Sequence, residues 1–264
     1  MGAAFDRFCT PVPLERRKQS VAKAERIELS LPFGTLIGFA AGPADGPPVL
    51  LVHGWNSQAA FLVPLVSACA RQGLRVYAFD MPAHGLTRDA NPDKPTSTMV
   101  EWVETLIAAT TALGVARWQS VLAHSFGALA SCFAMGTRPW GGLPAMTADS
   151  LVLIAGASGM PTVVESYAAA VPSSDAEIAD IVQGVERATT AAIAALTIAA
   201  VVDALPQRLM LIHDPLDEVT QLADIRSALA RHPLWSEMLR EGAGHDAILF
   251  QLEPGRAAAK FAAG

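Results

Sequence analysis

The sequence predicts an α/β protein with a mostly parallel central sheet flanked by helices. Three observations lead there. Pro48–His53 is an unbroken apolar run, the pattern of a strand buried on both faces. From that run onward, strand-like and helix-like stretches alternate, which implies βαβ crossovers. Of the 264 residues, 52% are hydrophobic and 17% charged, ample material for a core of that size.

Taken in order, Leu14–Glu25 is charged and helix-compatible. Arg26–Leu31 and Thr35–Ala41 read as strands parted by Pro32 and Gly34. The turn Gly42–Pro47 leads into the buried run. Ala59–Gln72 reads as a helix closed by a left-handed cap at Gly73, and a strand over Leu74–Asp80 follows. Met81–Pro95, rich in Pro, Asp and Asn, reads as a loop. Thr98-Met99-Val100-Glu101 has capping-box spacing, so a helix is expected from Thr98 to Leu113, stopping at Gly114. Strand Gln119–Ala123, helix Phe126–Thr137 and strand Ser150–Ala155 come next. Strand Arg208–His213, helix Thr220–Arg231, strand Ser236–Glu241 and a helix from Asp246 close the series.

Between Gly156 and Pro206 lies a segment too long for a plain loop. One helix-like stretch begins near Ser174, where Ser174-Asp175-Ala176-Glu177 is a second capping box; another is the alanine-rich run Ala188–Val202. Residues 157–205 are therefore expected to form a helical cap inserted between core segments 1–156 and 206–264. It would lie over the C-terminal edge of the sheet, where open α/β sheets bind ligands. Two ordinary crossover helices are the alternative.

Composition excludes several roles. A net charge of −6 without a basic stripe speaks against nucleic acid and anionic membranes as partners. The apolar run Ala188–Val202 is shorter than the about 18 residues that span a bilayer. No apolar stretch of signal-peptide type follows Met1. Cys9, Cys69 and Cys132 lie far apart, forming neither a disulfide framework nor a metal cluster, so a reducing cytoplasm is the expected setting. No metal-ligand spacing, G-x-G-x-x-G or P-loop occurs, and no cofactor or metal is expected.

The chemistry-bearing residues fall in one order. Ala123-His124-Ser125-Phe126-Gly127 sits between a strand and a helix, the context of a nucleophile elbow, where small residues must flank the serine two positions away on each side. The penultimate strand runs into His213-Asp214-Pro215-Leu216-Asp217, and the last into Gly242-Ala243-Gly244-His245-Asp246, with glycines that let the chain turn the imidazole. Serine, acid and histidine thus leave the same sheet edge in the order Ser…Asp…His.

With His53-Gly54-Trp55 after the first buried strand and Asp80-Met81-Pro82-Ala83-His84-Gly85-Leu86-Thr87 after the next, the chain resembles the α/β-hydrolase superfamily. The likeness runs from about Glu25 to the C-terminus, and is to its small, capped serine hydrolases. Ala123 stands where that family has glycine, Thr87 where serine is common, and Asp214 where glycine is frequent. The resemblance implies Ser125 as nucleophile, His245 as base and Asp217 as acid, with Asp214 as the alternative acid. It places the oxyanion donors at the backbone N–H groups of Trp55 and Phe126. It gives Asp80 and His84 a loop-holding role.

His53 is expected to shape the oxyanion loop, His124 to pack under the elbow, and His213 and His232 to be structural. Glu218 and Asp246 read as solvated first-turn residues. Trp55, Phe126, Met160 and Tyr167 are expected to contact substrate, with Val163 and Val164 nearby. The acidic cap residues Glu165, Asp175, Glu177, Asp180, Glu186 and Asp203, against Arg187, suggest neutral, apolar substrates. The implied activity is hydrolysis of small to medium carboxylic esters through an acyl-enzyme. Thioesterase, carbon–carbon hydrolase, lactonase or amidase chemistry, and a non-catalytic receptor on the same fold, remain alternatives. The oligomeric state stays open.

Overall fold

The computed structural model describes residues 2–13 and 24–264. The helix-compatible stretch from Leu14 therefore lies outside the described residues, apart from its end at Ala24 and Glu25. The strands are β1 (Glu25–Leu31), β2 (Gly34–Ala41), β3 (Pro48–Val52), β4 (Arg75–Asp80), β5 (Ser120–His124), β6 (Ser150–Ile154), β7 (Arg208–His213) and β8 (Trp235–Leu239). They form an eight-stranded sheet in the order β1-β2-β4-β3-β5-β6-β7-β8. The pairs β1·β2 and β2·β4 are antiparallel; every pair from β4 to β8 is parallel. The expected doubly buried run is β3, buried from Val49 to Val52, and its neighbours β5 and β6 are buried along their whole length.

The α-helices are α1 (Ala3–Phe8), α2 (Val63–Arg71), α3 (Gly85–Ala90), α4 (Met99–Ala112), α5 (Phe126–Met135), α6 (Met160–Ala170), α7 (Asp175–Thr189), α8 (Ile198–Val201), α9 (Leu222–Leu229) and α10 (Leu252–Ala263). Residues of α2 and α10 pack on one face of the sheet with Val49, Leu51 and Ile212. On the other face, α4, α5 and α9 bury Trp102, Phe133 and Leu229 against Leu50, Val121 and Leu153. Both capping boxes form: Thr98 and Ser174 accept from the N–H groups of Glu101 and Glu177, whose carboxylates bind back to the cap N–H groups. Among the described residues no helix is long and apolar enough to cross a membrane.

Three expectations are corrected. The Met81–Pro95 loop contains α3, opened where the Asp80 carboxylate accepts from the Leu86 N–H at 2.7 Å and places negative charge at the helix start. The alanine-rich run is not one helix. α7 ends at Thr190 in a left-handed conformation, and Thr197 is extended and bridges Gly159, leaving only short turns and α8. Here tertiary pairing overrides alanine's helix preference, because Leu196 C=O and Ile198 N–H are bound to Met160 N–H and Ser158 C=O. The third correction is α1, a helix outside every element expected from the sequence.

Candidate active site

Strand order reverses at β3, which has β4 on one side and β5 on the other, so the loops leaving β3 and β5 open a crevice at the C-terminal edge. The parallel registers set its depth. Val52 pairs with Ala123, His124 with Ile154, Ile154 with Ile212, and His213 with Leu239. Residues just past these strand ends therefore share one level.

Ser125 follows β5 directly, with φ 53° and ψ −124°. A non-glycine residue held there is strained by about 1–3 kcal/mol. Its N–H donates to Ile154 C=O at 3.0 Å, and its C=O accepts from Ala128 at 3.0 Å and Ala157 at 3.2 Å. At about 1 kcal/mol net each, these bonds are enough to hold the turn. Gly127 has to be glycine, since a Cβ there would lie 2.2 Å from the His53 carbonyl oxygen. Gly54 likewise lets the β3 loop lie against the serine: a Cβ there would be 2.9 Å from Ser125 Cβ.

His245 lies past β8, with Nε2 2.9 Å from Ser125 Oγ and Nδ1 2.8 Å from Asp217 Oδ2. Because the carboxylate accepts from Nδ1–H, Nε2 is left to accept the serine proton. Burial opposes the charge on Asp217. The hydrogen bond and charge of His245, with N–H donors from Thr220 and Val219, outweigh it and push the carboxyl down to about 2. A hydroxyl, imidazole and carboxylate in this order can remove the hydroxyl proton as the oxygen attacks an electrophile.

Asp214, the alternative acid, makes no contact of this kind. Its carboxylate accepts from the N–H groups of Leu216, Gly242 and Gly244 at 2.9, 3.1 and 2.6 Å, tying the β7 loop to the loop that carries His245. Burial opposes its charge too, and those three donors still hold its carboxyl below the usual range.

The remaining histidines are fixed by hydrogen bonds. His124 donates from Nε2 to the His245 carbonyl at 2.9 Å, and burial pushes it down to about 4. His53 accepts from Met81 N–H at Nε2 (2.9 Å), so its Nδ1–H donates to Gly54 C=O at 2.7 Å. Asp80 accepts from Ala59 N–H at 2.7 Å as well as from Leu86, and His84 donates to Pro82 C=O at 2.8 Å. His213 and His232 donate to the carbonyls of Thr220 and Pro206. Asp246 is exposed, as is Glu218. Although no metal spacing is visible in the sequence, ligating atoms of His124, His245 and Asp246 gather within 4.8 Å of one another. Both His245 nitrogens and His124 Nε2 are already engaged in the bonds just described.

A cavity of about 520 Å³ opens beside Ser125 and His245. Trp55, Phe126, Met160 and Tyr167 all line it, with Val163 but not the buried Val164. The acidic residues of the α6–α8 region do not line it, so they cannot set its polarity. Glu177 binds Arg7 and Ser174, Asp180 the N–H groups of Ala4 and Phe5, and Glu186 that of Ile193, while Glu165, Asp175 and Asp203 are exposed. The apolar character comes from the lining side chains instead.

The sequence profile of the alpha/beta hydrolase fold matches residues 47–179, half of the chain. The chain belongs to the α/β-hydrolase family. Over 108 residues it is 33% identical to the human serine hydrolase-like protein, a match covering 38% of this chain and 48% of that one, so it spans about half of that relative's length. Among solved structures, an esterase of Pyrococcus furiosus superposes with a TM-score of 0.66 at 17% identity, covering 95% of this chain and 97% of that one. A bacterial membrane phospholipase A gives 0.67 at 15% identity, covering 90% and 85%.

Two features of this α/β hydrolase escaped the sequence reading. Thr220 gives its N–H to Asp217 Oδ1 at 2.9 Å, and its hydroxyl lies 3.1 Å from both Asp217 Oδ2 and Ala155 C=O. Read as the first residue of a helix, Thr220 instead ends the loop that fixes the carboxylate. Asn56, at φ 51°, accepts the Val12 N–H at 2.8 Å. An asparagine in a loop rich in turn residues is the only local signal for such a left-handed position.

Proposed function

We propose that this α/β hydrolase is a serine hydrolase that cleaves carboxylic esters of apolar acyl groups. The observation that carries the reading is the relay Ser125 Oγ–His245 Nε2–Nδ1–Asp217 at the wall of an apolar cavity. Ser125 Oγ attacks the ester carbonyl as His245 takes its proton. The tetrahedral oxyanion is held by the N–H groups of Trp55 and Phe126, the latter in the first turn of α5 where helix N–H groups lack intrahelical partners. His245 then protonates the departing alkoxide, leaving an acyl-serine, and returns to activate a water that releases the acid. Asp217 holds the ring and stays ionised throughout. No step calls for a metal or cofactor. We place the α6–α8 segment as a cap over this site and the enzyme in a reducing cytoplasm, a setting supported by three buried, free cysteines.

The test is covalent. A fluorophosphonate should label Ser125 in the folded protein, and p-nitrophenyl butyrate should give a burst that Ser125→Ala and His245→Ala both abolish. A folded protein that is neither labelled nor active on a panel of esters would be a receptor, not a hydrolase.

A further inference from the structure

The first described segment, residues 2–13, is built into the site. α1 lies along α7, where Asp180 Oδ2 accepts from the N–H groups of Ala4 and Phe5 at 3.1 and 3.2 Å. Phe5 fits against Gly184, where a Cβ would lie 2.2 Å from the phenyl ring. Arg7 pairs with Glu177 at 2.8 Å and donates to Tyr167 Oη at 3.3 Å. Phe8 meets the Tyr167 ring edge-on at 5.1 Å. Beyond the helix, Cys9 C=O accepts from Ser97 N–H at 2.8 Å, and Val12 N–H binds Asn56 beside Trp55. The segment is thus a strap that runs from α6 and α7 to the β3 loop. Phe5, Phe8, Cys9 and Val12 line the same cavity as Ser125.

We propose that this strap is the wall that gauges the acyl chain, with Phe8 and Cys9 setting the length the site accepts. The proposal rests on the hydrolase reading above and narrows it. The alcohol leaves after the first step, whereas the acyl group stays bonded to Ser125 until water arrives, so the acyl group is the part that the mostly apolar cavity beside Ser125 must hold. At ~30 Å³ for each water-sized heavy atom, 520 Å³ takes roughly 17 of them, room for an acyl chain of about eight to twelve carbons with its carbonyl oxygen and a few atoms of the alcohol beside it. The charged strap residue at the cavity, Arg7, is already paired with Glu177, so the wall offers no free charge to a carboxylate or phosphate on the chain.

The experiment is kcat/KM for p-nitrophenyl acetate, butyrate, octanoate and dodecanoate, measured for the wild type, Phe8→Trp and Phe8→Ala. One methylene more or less in an apolar pocket is worth roughly 10- to 200-fold in kcat/KM. Phe8→Trp should therefore cost at least about tenfold on octanoate relative to acetate, and Phe8→Ala should move the optimum toward dodecanoate. If both Phe8 variants lose acetate hydrolysis as well, Cys9→Ala carries the test, with a raised dodecanoate-to-acetate ratio expected. Esters hydrolysed with an unchanged length profile in every folded strap variant would overturn the gauge and leave the hydrolase standing. A wild type inert to the whole series would overturn the hydrolase and the gauge with it.

Discussion

The sheet edge and the proposed roof of α1, α6 and α7, which lines the cavity with it, are held in different ways. At the edge, Ser125 follows β5 directly, the Asp214–Thr220 loop follows β7 and the His245 loop follows β8, so each position is set by strand register and short-range turns. In the roof, α1, α6 and α7 touch the sheet little, and they are fixed by contacts between residues far apart in sequence, such as Asp180 with Ala4. An edge built from register can hold a hydrogen-bond relay to tenths of an ångström. A roof clipped on by side chains can change its lining without disturbing that relay. The proposed chemistry belongs to the first region and the proposed length selectivity to the second.

The largest expected effect breaks the edge. Asp217→Asn should lower kcat on p-nitrophenyl butyrate by about 10⁴-fold with the fold retained, because the relay loses its imidazole orientation. Asp214→Asn, which touches only loop N–H groups, should cost no more than about tenfold in kcat while lowering Tm. Stopped-flow assay with thermal melts separates the two; the reverse ranking would move the acid to Asp214.

Acid should loosen the edge next. Burial holds His124 and His84 down to about 4 and His53 well below its usual value, so all three are neutral in the fold at pH 7. Unfolded histidines take up protons near 6.5, so the unfolded chain binds more protons as pH falls from about 6.5 toward 4, and stability is lost over that window. The loss should be on the order of 2 kcal/mol per histidine by pH 5, read from urea midpoints at pH 7 and 5. The depressed Asp217 carboxyl acts in the same direction only below about pH 4. Equal midpoints at the two pH values would show that these imidazoles are not held neutral.

The smallest effect belongs to the roof. Asp180→Ala removes the acceptor for two N–H groups at the start of α1 and should cost about 1 kcal/mol, a Tm drop of roughly 2–4 °C. Turnover of p-nitrophenyl acetate should not change. A large loss of acetate turnover would mean that roof and edge are mechanically coupled.

The same contrast explains how much could be read from the chain. Periodicity marked the strands, and a serine, an acid and a histidine just past three of their ends gave the edge, because local pattern and register decide both. Both Asp214 and Asp217 leave β7; the resemblance pointed to Asp217, and the path of the loop shows that Asp217, not Asp214, faces His245. The roof was read in part. The Ser174 capping box located α7, but α1 spans only six residues and gets its N–H acceptor from α7, about 175 positions away. The alanine-rich run has the composition of a helix and is pulled out of it by pairing with Gly159. Contacts of that range leave no periodic trace.

His53 bears on the proposed oxyanion donor Trp55 without touching the reacting atoms. A trans peptide unit is rigid and flat, and its C=O and N–H point in opposite directions. The His53 ring, itself locked by Met81, grips the carbonyl of the Gly54–Trp55 unit. Fixing one end of that plank aims the other, so the Trp55 N–H is turned away from the imidazole. The ring works as a gunsight: it needs one donor and one acceptor on opposite sides of a small flat body. A protonated imidazole has no acceptor to give Met81 and could not hold the aim.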